Sequence, residues 1–213
     1  DQDQRHRFVA NVVYDLPFGT GRSYLSNTWA PLRKAVEGWT VGTIVTYQTG
    51  TPWYVTSGRS TFNQFNSGNN SAQLGSMTFE QFRSQLGVFR TPVGVFFIDP
   101  RNLDITTNSS GDLTSARLKP GIFVQPDVGT FGNFPMNSLF GPNFTQTDFS
   151  LAKRTYFSER GNVEFRMTVF NIFNHANFNI NTNNFQFDAT TFGRVTATTG
   201  NERQISFNLG VNW

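Results

Sequence analysis

The run Arg203–Trp213, RQISFNLGVNW, constrains the fold more than any other stretch. Ile205, Phe207, Leu209, Val211 and Trp213 hold its odd positions; Gln204, Ser206, Asn208, Gly210 and Asn212 hold the even ones. Side chains alternate across a β-strand, so one face is wholly apolar and the other wholly polar. An indole at the end of such a strand suits a water–lipid boundary better than the edge of a soluble domain.

Hydrophobic residues make up 37% of the chain and charged residues 15%, both below the usual share for a soluble globule. A transmembrane barrel needs apolar side chains only at alternate positions within the membrane band. The 24 Phe suit its aromatic girdles, and they suit a soluble Phe-rich β-sandwich equally well. A formal charge of +3 with no basic run of five residues argues against nucleic acid as a partner. The absence of Cys excludes a disulfide framework and a thiolate metal site. No apolar run approaches the roughly 20 residues of a membrane helix. The chain opens DQDQRHRF and enters a strand almost at once, with no signal peptide, so an N-terminal truncation is expected.

Taken in order, the alternation predicts five strands. The first, Arg5–Leu16, carries Phe8, Ala10, Val12 and Tyr14 on one face, and Pro17-Phe18-Gly19 ends it. A helical turn is expected around Pro31–Val36. The second strand, Trp39–Val55, has Trp39 and Tyr47 bracketing its apolar side. The third is Phe144–Tyr156. After the tight turn Ser158–Gly161 comes the fourth, Asn162–Phe173, with Val163, Phe165, Met167 and Val169 opposite Glu164 and Arg166. The terminal strand is the fifth. Residues 57–143 read as a long irregular loop, with a capping-box helix at Thr78–Leu86 and a strand-like stretch at Val93–Ile98. Phe192–Val195 is expected to pair at the far end of a second long connection. Short and long connections alternate, so the long ones lie on one side of a membrane and the C-terminus on the other. An antiparallel sheet one face of which meets lipid is the expected architecture; a soluble sandwich binding carbohydrate is the alternative.

Catalytic chemistry finds little support. His6 and His175 are the only histidines, and neither has partners at the spacing of a triad or metal site. Asp99, Asp104 and Asp112 lack the spacing of a calcium loop, and the Gly19–Arg22 segment GTGR lacks the lysine of a phosphate loop. No catalytic residue, metal ligand or cofactor is assigned. Arg7, Asp148, Glu164 and Arg166 fall on the polar faces and point into a lumen if the apolar faces meet lipid; pairing with each other or contact with a plug is the favoured role. Phe62, Phe65, Phe79 and Phe82 could clamp an external ligand, although packing of the loop on itself is the stronger expectation.

The segments RHRFVANVVYDLPFGTG, GWTVGTIVTYQTGTPW, GTFGNFPMNSLFGPNFTQTDFSLAKR, VEFRMTVFNIFNHANF and FGRVTATTGNERQISFNLGVNW occur in this order. Together they resemble the C-terminal end of the β-barrel of TonB-dependent outer-membrane receptors, in the Oar-like branch that carries a carboxypeptidase-regulatory-like domain. The resemblance covers most of the chain outside residues 57–119, and GTPW, FGNxxxNSLFGP and FNxFNH in succession give it its specificity. It implies an all-β fold: a transmembrane segment of five strands within a barrel of about 22, with an N-terminal plug and TonB-contacting box outside this sequence. It implies a receptor that imports a bulky nutrient and is not an enzyme, with outer-membrane lipid and the TonB complex as partners. An anchor for an adhesive surface protein is a further reading. In the family, a final aromatic residue with apolar residues at alternate positions upstream is read by the barrel-assembly machinery. Ile205, Phe207, Leu209, Val211 and Trp213 match that pattern, with Trp where Phe is commoner.

Overall fold

A computed structural model describes residues 3–59, 61, 70–180 and 185–213. It divides the chain into two compact units. One holds His6–Gln48, Phe144–Ala176 and Gly200–Trp213; the other holds Asp1–Arg5, Thr49–Asn143 and Asn177–Thr199.

The first unit is a five-stranded antiparallel sheet: β1 (Arg7–Asp15), β2 (Trp39–Gln48), β3 (Phe144–Tyr156), β4 (Asn162–Phe170) and β5 (Gln204–Asn212), paired in sequence order. Each strand has 9 to 13 residues, against the 9–11 or so that a tilted strand needs to cross a bilayer. A one-residue slip anywhere would send a strand's apolar set to the wrong face. The register avoids this throughout. Val12, Thr43, Phe149, Val169 and Ile205 form one cross-strand row, and Tyr14, Val41, Leu151, Met167 and Phe207 form the next. The opposite face carries the row Asp15, Thr40, Ala152, Arg166 and Asn208. The ladder is open, with β1 and β5 at its edges.

Connections leave the sheet asymmetrically. The segments joining β2 to β3 and β4 to β5 depart from one end of the strands. The link from β1 to β2 and the turn from β3 to β4 depart from the other. In the first of these short connections, α1 (Ala30–Val36) begins with Pro near its first turn, where the missing amide costs nothing. Gly38 then takes φ +74°, and any side chain there would strike the Arg154 carbonyl.

The second unit corrects the reading of residues 57–143 as irregular. It is built from two- and three-residue ladders and one longer hairpin, Leu103–Thr107 with Leu113–Leu118. These enclose a core of Trp53, Phe82, Phe96, Phe123, Phe134, Phe185 and Phe192 with aliphatic neighbours. The helix α2 (Phe79–Ser84) carries the expected capping box: the Gln81 amide donates to Thr78 Oγ1 and the Thr78 amide to Gln81 Oε1, at 3.3 and 2.9 Å. Arg194–Val195 pairs with Gly94–Phe96, which places the Phe192–Val195 segment as expected.

Two strand ends also differ. The second strand stops at Gln48, and Pro52–Trp53 joins Leu139–Phe140 in a separate ladder, since Pro cannot donate within a continuous one. The fourth stops at Phe170, because Asn171 turns to φ 49°. Its side chain then donates to the His175 and Asn201 carbonyls and accepts from the His175 amide.

Candidate functional site

The sheet presents two chemically distinct surfaces. On the apolar one, Phe207 is 65% exposed and Leu209 72%; Phe8, Val12 and Tyr14 are exposed too. Phe149, Phe165 and Met167 are half-buried, and Phe165 stacks on Phe207 at 6.2 Å between centroids. Val169 alone among the outward residues of β4 is buried, at 7% exposure. It is the last-but-one residue of β4, paired with Phe149 and Ile205 at the end of the sheet with the long connections, and is outside the core cluster of the second unit. The alternative of a soluble sandwich requires a second packed layer over this face; within the sheet unit Phe8, Val12, Tyr14, Phe207 and Leu209 carry none among the described residues.

The polar surface holds an ion-pair network. Arg154 and Glu164 face each other across β3 and β4, and Arg154 Nη2 lies 2.7 Å from Glu164 Oε2. Arg166 Nη2 reaches the other carboxylate oxygen at 2.8 Å. Thr40 donates to Asp15 at 2.7 Å, and Arg22 approaches the same carboxylate at 3.8 Å. These groups line a concavity of about 430 Å³ at the end of the sheet with the short connections. Asp148 has a different role, accepting from Gln146 Nε2 and the Asn171 amide, both at 2.9 Å, which ties β3 to the turn after β4. Arg7 shares the polar face but stands at its other end, opposite Gln48. Glu164 and Arg166 are therefore joined, while Arg7 and Asp148 are apart from them. Glu164 is the centre of the network, and its cross-strand partner Arg154 was not among the residues expected from the sequence. Its register opposite Glu164 is the signal, visible only once β3 and β4 are aligned through their tight turn.

Of the proposed aromatic clamp, Phe62 and Phe65 lie outside the described residues. Phe82 is fully buried and packs edge-on against Phe123 and Phe134, so it cannot contact an external ligand. Phe79 is half-buried against Phe134. The described apolar residues that this unit does expose include Val128, Phe131 and Met136. Among the described residues no cluster of three His, Cys, Asp or Glu could hold a metal ion.

Two carboxylates outside the strands are perturbed. Thr20 donates to Glu37, through its hydroxyl at 2.8 Å, and holds that carboxyl below the usual glutamate value. Arg101 does the same for Asp99, donating from its side chain and its amide.

Residues 1–206 match the family model described as an outer membrane beta barrel domain. No curated protein sequence matches the chain significantly, and no solved structure does. The match agrees with what the sheet shows: antiparallel strands of membrane-crossing length, one apolar and exposed face, and an opposite face of charge and amide. The chain belongs to the outer membrane β-barrel domain family and is a protein of the outer membrane.

Proposed function

We propose that this chain forms part of the wall of a TonB-dependent receptor that binds a bulky nutrient outside the cell and admits it through the barrel. The apolar sheet face meets hydrocarbon, and the face of Arg154, Glu164 and Arg166 lines the lumen or contacts a plug. The observation that carries the reading is the second unit. Two long excursions from one end of the strands have a core of their own and expose Val128, Phe131 and Met136 to a ligand. Long external loops and short periplasmic turns are the rule for outer-membrane barrels. Unpaired ladder edges are not tolerated in lipid, so β1 and β5 pair with further strands of a barrel. The terminal strand, from Ile205 to Trp213, serves the assembly machinery, and binding rather than catalysis is the role assigned to every polar group.

Deletion of the gene should abolish growth on one bulky nutrient, and a strain lacking TonB should show the same loss. Normal uptake in the deletion strain with loss of surface attachment would instead support an anchor for an adhesive protein, which the same self-packed unit could serve.

A further inference from the structure

The link between β1 and β2 is fixed to the apolar face of the sheet. Lys153 lies in the row of Trp39, Phe165 and Leu209. Its ammonium donates to the carbonyls of Lys34, Ala35 and Glu37 at 2.9, 2.7 and 3.0 Å. The Trp39 indole also donates to the Ala35 carbonyl, at 2.9 Å. The three ammonium hydrogens are thus used, and the carbonyls of Lys34 and Ala35 at the end of α1 are satisfied. Between α1 and the sheet this clamp leaves a concavity of about 310 Å³, lined by Leu16, Phe18, Ala35, Val36, Trp39 and Leu151. Every lining residue is apolar. Arg33 and Lys34 stand in the last turn of α1, next to the lining. Glu37, the neighbouring acid, accepts from Thr20 and also feels the charge of Arg33, which leaves Lys34 as the cation without that acid beside it. Trp29, at the start of α1, is 75% exposed.

We propose that this groove is a phospholipid site, with an acyl chain lying between α1 and the sheet and the headgroup phosphate held by Arg33 and Lys34. The groove is continuous with the apolar face of a membrane-spanning sheet. It sits at the end with the short connections, the periplasmic end of an outer-membrane barrel. Basic residues beside an apolar surface attract anionic headgroups, and an exposed indole suits the same depth. The site depends on the sheet crossing the membrane and is independent of nutrient import.

The test uses the full-length protein extracted in mild detergent, probed by native mass spectrometry and titrated with phosphatidylglycerol or phosphatidylcholine. Wild type should retain phosphatidylglycerol. Ala35→Phe, which fills the groove, should lose both lipids. The double variant R33Q/K34Q should bind phosphatidylglycerol about fivefold more weakly for each charge removed, and phosphatidylcholine, whose choline cation offsets its phosphate, should lose less. Equal retention by wild type and both variants overturns the site. Loss with Ala35→Phe alone overturns the headgroup assignment and keeps the groove. If heat-modifiable migration shows that Ala35→Phe misfolds, the double variant, at one half-buried and one exposed position, decides the question by itself.

Discussion

The two units place similar side chains in opposite settings. In the unit of long excursions, Trp53, Phe82, Phe96, Phe185 and Phe192 are buried against one another. In the sheet, Phe8, Phe207, Leu209 and Val211 face outward with no protein over them among the described residues. Apolar content therefore does not distinguish a water-stable core from a membrane surface. Placement does: irregular spacing converges on a closed cluster, and strict alternation builds a surface that needs an outside partner.

The largest effect expected from breaking this contrast lies in the closed core. Phe82→Ala should destabilise the second unit by about 3–5 kcal/mol, seen as faster proteolysis at residues 70–140 of the folded protein. The sheet should respond to charge rather than to truncation. Phe207→Arg, in the middle rows, should cost about 2–4 kcal/mol of folding into lipid. Asn208→Arg, one residue away on the polar face and opposite Arg166, should cost only a fraction of that, the repulsion of two wetted guanidiniums. Equal costs at the two positions would remove the distinction between the faces.

Smaller effects sharpen the polar surface. Glu164→Gln leaves Arg154 and Arg166 without their shared carboxylate. If that face is wetted, the loss should be well below that of Phe207→Arg, because solvent screens the exposed guanidiniums. The smallest effect concerns acid. Asp99 titrates below its ordinary value of 3.8 because Arg101 stabilises the carboxylate. Its contribution is present above that value and is lost as pH falls through the lower, folded one. Acidification through this window should loosen the second unit, and Asp99→Asn should remove that part of the pH dependence in a thermal melt.

The strands were legible because alternation is a local signal. All five, the α2 capping box and the asymmetry of the connections follow from spacing alone. The packing of residues 57–143 was not legible. Its ladders join residues distant in sequence, such as Pro52–Trp53 with Leu139–Phe140, and its aromatic residues show no fixed period. The same limit hid Arg154, whose partner is set by register across a turn. It hid Lys153 as well, whose charge on an apolar face makes sense only when the end of α1 reaches it. The burial of Phe82 was foreshadowed by its place on the apolar side of an amphipathic helix.

Whether the apolar face meets hydrocarbon is tested most directly by spin labels on single cysteines placed at each position from 204 to 212. The chain has no native Cys to interfere. In membranes, labels at 205, 207, 209 and 211 should be relaxed by oxygen, and labels at 204, 206, 208, 210 and 212 by a water-soluble nickel complex. Odd positions shielded from both reagents, or open to the nickel complex, would contradict the account.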